Sequence, residues 1–351
     1  MRGRTFKTAA AALLMASSLP FAATANAATP SVRTLAAREA HLAGMAYRMA
    51  ITNADLCSRP SMMTGLIIHD LTQYHPNRRA DVARAFSLGA GFGVLELVRG
   101  SAAAEGGLRI DDEIIAVGSV SVDNAPGRSS SQSFRRVQGF VDILSAQLTK
   151  GSVDLRVRRN GQLMNVTLTA RRGCGGELSL SNSATVNAWA DGRHIVVTTA
   201  MTDFAGSDDE IAFVIAHEMA HNILGHNRPR GKTGFFGSRQ SRKIELDADR
   251  FAVRLMAGAG YRPAAGISFL ERSRQRYWWA FSLGHPGFGA RIRIVGDAIS
   301  KWHVDAVGHN DASSQLAPAT RFKFAAVDQT SPTSYKRPVS IALAAPVFPL
   351  R

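Results

Sequence analysis

The stretch Ser207-Asp208-Asp209-Glu210-Ile211-Ala212-Phe213-Val214-Ile215-Ala216-His217-Glu218-Met219-Ala220-His221 decides how this chain is read. Ser207 followed three residues later by Glu210 is a capping box, and Asp208 and Asp209 suit the positive end of a helix. The pattern predicts a helix from Ile211 to about Leu224, stopped by Gly225. His217 and His221 are four apart, so both imidazoles leave one helical face and can grip one metal ion. Glu218 sits beside them, where its carboxylate reaches a water held by that metal.

Further along, Glu245-Leu246-Asp247-Ala248-Asp249 opens a second helix that continues through Phe251, Val253, Leu255 and Met256. Glu245 and Asp249 are again four apart. Glu245 completes a His-His-Glu set for one zinc ion per chain, and Asp249 is placed to accept a hydrogen bond from a ligating histidine and so orient it. Asp247 faces elsewhere. The rival arrangement, a third histidine six residues after His221, fails because Asn227 stands there and Leu224 replaces the required glycine. His226 is out of register for that role and reads as a cation at the helix end.

The composition bounds the rest. A chain of 351 residues with 45% hydrophobic and 20% charged residues is an ordinary globular mixture, not a disordered, collagen-like or polytopic membrane protein. The formal charge of +15 raises the question of nucleic acid. The N-terminus answers part of it. Arg2, Arg4 and Lys7 precede an apolar run from Ala9 to Ala23 and a small-residue Ala25-Asn26-Ala27 site. Residues 1–27 read as a secretory signal rather than a membrane anchor, because Ser17, Ser18 and Pro20 break a short run. An exported location follows, with the bacterial periplasm ahead of secretion or a peripheral envelope site. No nucleic-acid partner is expected there. Cys57 and Cys174 are the only cysteines; in an oxidising compartment they read as one disulfide, the other reading being two separate buried thiols.

Upstream of the metal motif, residues 31–56 show helical spacing through Leu35, Ala36, Ala40, Leu42, Met45, Ala46 and Met49. Residues 57–85 are mixed and show no chemistry. Residues 87–171 form a distinct unit. Gly91-Phe92-Gly93-Val94 enters a strand, Ala104-Glu105-Gly106-Gly107-Leu108 makes a small-residue turn, and Asp111-Asp112-Glu113-Ile114-Ile115-Ala116-Val117 is a second strand. A helix over Val137 to Leu144 and a hairpin turning at Asn160-Gly161 close the unit.

That order resembles a PDZ domain of the bacterial protease type, although Asp111-Asp112 stands where the family usually has Gly-Asp. The resemblance implies an extended peptide docking as an added strand, with Gly91, Phe92, Gly93 and Val94 supplying the carboxylate loop and the edge. The other reading is a small β-domain that only packs against the remainder.

A second resemblance covers about residues 185–295. The strand Asn187-Ala188-Trp189-Ala190, the His217 and Glu245 motifs, and His285-Pro286 followed by Arg291-Ile292 resemble the CAAX-endopeptidase/HtpX family of zinc metallopeptidases in its soluble exported form. The step from His221 to Glu245 is short for that family. The resemblance implies that Asn187, Ala188 and Trp189 belong to an edge strand pairing with an extended substrate. It places His285 near the catalytic centre as a transition-state stabiliser or gate, a structural histidine being the alternative. Arg291 has three readings: an anchor for the Glu218 region, a substrate contact, or an ordinary helix cation.

The expected fold class is therefore α+β: a mainly helical zincin-type metalloprotease domain with a small edge-strand sheet, preceded by a PDZ-like β-rich domain. The expected organisation is a signal over 1–27, an N-terminal helical segment over 28–86, a PDZ-like domain over 87–172, a catalytic domain over 173–302 and an irregular tail over 303–351. The function implied is zinc-dependent hydrolysis of polypeptides, in misfolded or membrane-associated envelope proteins. The rival is a latent protease serving as a peptide-binding scaffold or chaperone-like factor. Residues 222–244 carry six cations and no acids, and the 228–243 loop reads as a basic flap for substrate, anionic membrane or acidic partners, or as a plain solvated loop.

Overall fold

Helix α1 (Val32–Thr52) joins the two halves of the chain. Its Leu35, Leu42, Met45, Ala46, Met49 and Ala50 enter the core of the helical half, while Ala36 joins a smaller cluster with Tyr74, Val82, Phe86, Leu88 and Leu95. Apolar residues recurring at helical spacing produce this wide buried stripe. The computed structural model describes residues 31–58, 60–122, 129–226, 238–277 and 287–308. The proposed signal, His285, residues 228–237 of the basic loop and the tail beyond 308 lie outside the described residues.

The first half is a six-stranded antiparallel sheet. It contains β2 (Leu66–His69), β3 (Phe92–Leu97), β4 (Glu113–Val117), β6 (Ser152–Arg159) and β7 (Gln162–Thr169) in that spatial order, with β5 (Val120–Ser121) paired to β4. β6 and β7 alternate buried and exposed residues and meet at Asn160-Gly161, where both residues have positive φ, 50° and 79°. That is the turn chemistry the sequence predicts, since only such a turn matches the strand twist. Helix α3 (Ala102–Glu105) is capped by Ser101, and helix α4 (Arg135–Gln147) lays Phe140 against Phe92 with ring centroids 4.5 Å apart. Buried Asp70 accepts a 2.7 Å hydrogen bond from Arg136 of α4, fixing the end of β2 to that helix.

Two readings of this region are corrected. Residues 28–86 are not simply helical: β1 (Ser61–Met63) and β2 lie there, with helix α2 (Arg79–Ala85) following them. The sheet therefore begins at Leu66, upstream of the boundary expected at 87. Gly91 to Val94 do not form a free edge. β3 lies between β2 and β4, pairing His69 with Gly93 on one side and Ile114 with Phe92 on the other. The Gly91 amide donates to Glu113 at 2.7 Å, and a Cβ on Gly93 would meet His69 Nε2 at 2.4 Å. These glycines serve close packing, and the edge on that side belongs to β2.

β1 pairs with β8 (Arg171–Gly173), and Cys57 and Cys174 form a disulfide beside that pair with Cα atoms 5.4 Å apart. The second half follows. A three-stranded sheet runs β10 (Ala188–Ala190), β11 (His194–Thr198), β9 (Glu177–Ser181), with β9 parallel to β11 and β10 at the edge. Helices α5 (Thr199–Phe204), α6 (Asp208–Leu224), α7 (Ser238–Gly258), α8 (Ala265–Tyr277) and α9 (Phe288–Gly308) complete it. α6 is buried on almost every side from Glu210 to His221, so it is the central element of this core. The described residues from Val32 onward pack as one unit, and their architecture is α+β, β-rich before helical. Among the described residues no helix is long and apolar enough to cross a membrane.

Candidate metal centre

α6 begins as its sequence dictates. Ser207 Oγ accepts from the Glu210 amide at 3.2 Å, and Glu210 reaches back to the Gly206 amide at 2.8 Å. Glu210 also pairs with Arg272 of α8, so the helix start is tied to the neighbouring helix. The helix then runs through a core containing Ile211, Phe213, Ile215 and Met219, which fixes the face carrying His217 and His221.

That face meets α7, and His217, His221 and Glu245 converge. His217 Nε2 and His221 Nε2 are 3.1 Å apart. Glu245 lies 3.4 Å from His217 Nε2 through Oε2 and 3.6 Å from His221 Nε2 through Oε1. Donors bound tetrahedrally at the usual zinc distances stand about 3.4 Å from one another. Two imidazole nitrogens and the Glu245 carboxylate at these spacings therefore fit a single zinc ion with a fourth position left open for water or substrate. Glu218 is half-buried beside them, and both it and Glu245 act electrostatically on Arg291.

The support beneath the ligands is buried and charged. Asp249 accepts from His217 Nδ1 at 2.9 Å, which turns Nε2 toward the metal position. Arg291, from the first turn of α9, donates to both Asp249 oxygens at 2.7 and 2.6 Å. Of the three readings of Arg291, the structure gives the first in altered form: it anchors Asp249, and through it His217. Burial alone would raise the Asp249 pKa, but Arg291 and His217 outweigh it and hold the carboxyl below its usual range. Burial likewise opposes charge on His217, yet the Asp249 and Glu245 carboxylates raise its pKa to about 10. Burial and the neighbouring His217 push His221 down to about 3. These directions favour the charged form on His217 and the neutral form on His221, and a nitrogen that ligates a metal must first give up its proton.

The β10 strand flanks this centre. Asn187 is tied to Thr198, whose amide donates to its carbonyl at 3.1 Å, and the Asp191 amide donates to the His194 carbonyl at 3.2 Å. With Ala188 opposite Val197 and Ala190 opposite Ile195, this alternation turns the backbone groups of Ala188 and Ala190 outward and those of Trp189 toward Val196. Ala190, which the sequence reading quoted without singling it out, thus shares the outward edge with Ala188. Asn222, one residue past His221, holds the β10–β11 turn through Gly192 N to its Oδ1 at 2.6 Å and its Nδ2 to the His194 carbonyl at 3.2 Å. Only the geometry reveals that role.

The fold and the His217, His221 and Glu245 donor set are those that a zinc-dependent peptidase requires. The model of Peptidase family M48 matches residues 164–233, a span that includes both histidines and Glu218 and ends before Glu245. No curated protein matches the chain. Among solved structures, an HtrA-type protease AlgW with decapeptide is similar at 23% identity over 32% of this chain, with a TM-score of 0.24. The match spans 30% of that structure's chain.

Proposed function

We propose that this chain is an exported endopeptidase that holds unfolded polypeptide along the outer edge of β10 and cleaves it at the His217, His221, Glu245 centre. The observation that carries the reading is the 3.1 to 3.6 Å spacing of the three donors, which suits one zinc ion. Zinc, when bound, supplies Lewis-acid polarisation of water and of the scissile carbonyl. Glu218 takes a proton from the attacking water on its carboxylate and returns it to the leaving amine. Ala188 and Ala190 lend their outward amides and carbonyls to the substrate backbone, which recognises an extended chain without regard to side chains. Arg291 and Asp249 keep His217 in one orientation throughout.

The Cys57–Cys174 disulfide supports an oxidising compartment, and we place the protein in the bacterial periplasm. Misfolded or membrane-associated envelope proteins are the proposed substrates, with the β-rich half assisting their capture. Arg242 and Lys243 at the start of α7 continue the basic loop, for which an anionic membrane or acidic partner is proposed. Cleavage of unfolded casein by zinc-loaded protein tests the enzymatic reading. Activity lost on chelation and restored by zinc is the expected result. A zinc-loaded chain that binds casein without cutting it would favour the scaffold reading instead.

A further inference from the structure

α6 ends in a specific way. Gly225 has φ 69°, a left-handed conformation that glycine adopts without a side-chain penalty. The Gly225 amide donates to the Asn222 carbonyl at 3.2 Å, and the His226 amide donates to the His221 carbonyl at 3.0 Å. These two bonds are the Schellman motif, which folds the residue after the glycine back over the last turn, where an apolar pair usually makes the accompanying contact. Here the pair is His226 and His221. Their Nδ1 atoms are 3.1 Å apart, and the rings meet edge-on with centroids 5.1 Å apart.

We propose that His226 is the positioning residue for His221, as Asp249 is for His217. The inference rests on the reading of His217, His221 and Glu245 as zinc ligands. His221 turns Nε2 toward the other two donors, so its Nδ1 carries the proton. That N–H donates to the bare Nδ1 of His226, which places the His226 proton on its own Nε2. The two ligands are thus held unequally: His217 by a buried carboxylate, His221 by an imidazole at the half-buried end of the helix. His226 also lines an open cavity with Leu224, Lys243 and Phe251. The residue that reads from sequence as a helix-end cation thereby becomes part of the metal centre's support.

The test compares zinc affinity, by chelator competition on the full chain, in wild type, His226→Leu and His226→Asn. Leucine keeps bulk and removes the acceptor; asparagine restores an acceptor close to the place of Nδ1. Wild type is expected to bind one zinc ion. His226→Leu should bind about 10- to 100-fold more weakly. His226→Asn should return to within about threefold of wild type, with the metal-free unfolding midpoint the same in all three. A His226→Leu chain that binds zinc as tightly as wild type overturns the proposal alone. So does a His226→Asn chain as weak as His226→Leu, because the loss would then follow the ring and not the hydrogen bond. A wild-type chain that binds no zinc overturns the ligand reading as well.

Discussion

Arg291 grips Asp249 with two hydrogen bonds, 2.7 Å from Nε and 2.6 Å from Nη2, in a place where the Asp249 side chain is 0% and the Arg291 side chain 11% exposed. A buried pair of this kind contributes little net stability while intact but is costly to break, because the surviving charge keeps its desolvation penalty. Arg291→Met should therefore destabilise the chain by about 3–5 kcal/mol in denaturant titration. Asp249→Asn should weaken zinc binding by about 10- to 100-fold, since His217 loses its charged acceptor. Unchanged zinc affinity in Asp249→Asn would remove Asp249 from the metal centre.

The outward edge of β10 makes a separate prediction. Proline at Ala190 deletes an amide that faces away from β11, so zinc content should stay intact while KM for an unfolded substrate rises severalfold. Proline at Trp189 deletes an amide that faces Val196 and should lower the unfolding midpoint. If Ala190→Pro left KM unchanged, substrate would not pair along β10.

Glu39 sets a pH dependence of its own. Burial raises its pKa to about 8, only partly offset by the Leu180 amide that donates to it at 3.1 Å. The folded chain then holds a proton that the unfolded chain releases above its ordinary value of about 4.5. Stability contributed by this group is full below that value and declines as pH rises toward 8. Buried His69, lowered to about 4, works in the opposite direction below pH 6.5, so the decline from Glu39 shows most clearly above that point. Between pH 6.5 and 8 the loss should be about 2 kcal/mol. The difference between wild type and Glu39→Gln isolates it, because His69 and His217 titrate alike in both. A flat difference curve would show that Glu39 is ionised in the folded chain.

The disulfide closes a loop with a sequence separation of 117 residues. A cross-link over so long a loop restricts the unfolded chain strongly, by about 4–5 kcal/mol in the chain-entropy treatment. Replacing both Cys57 and Cys174 by serine should lower stability by an amount of that order, read from urea unfolding. A change under about 1 kcal/mol would place the constraint elsewhere, in the pairing of β1 with β8.

The local features of the centre were legible because they depend on short-range periodicity. His217 and His221 share a face through four-residue spacing, Ser207 announces the helix, and Gly225 ends it. Glu245 and Asp249 repeat the same logic on α7. What the sequence hides is pairing across long separations. Leu66-Ile67-Ile68 is too short to announce a strand, yet β2 takes the edge beside β3, whose glycines resemble a peptide-binding loop but pack against Glu113 and His69. β9 is equally silent, since a parallel partner comes with no hairpin turn to mark it. Arg291 carried three readings, none of which named Asp249, because that partner lies 42 residues earlier and on another helix.

The decisive comparison is casein hydrolysis by wild type and Glu218→Gln, each assayed beside its zinc content. One zinc ion in both proteins, with cleavage in wild type and none in Glu218→Gln, is the outcome these residues predict. Full hydrolysis by zinc-loaded Glu218→Gln would contradict the role assigned to Glu218, and with it the chemistry assigned to the site.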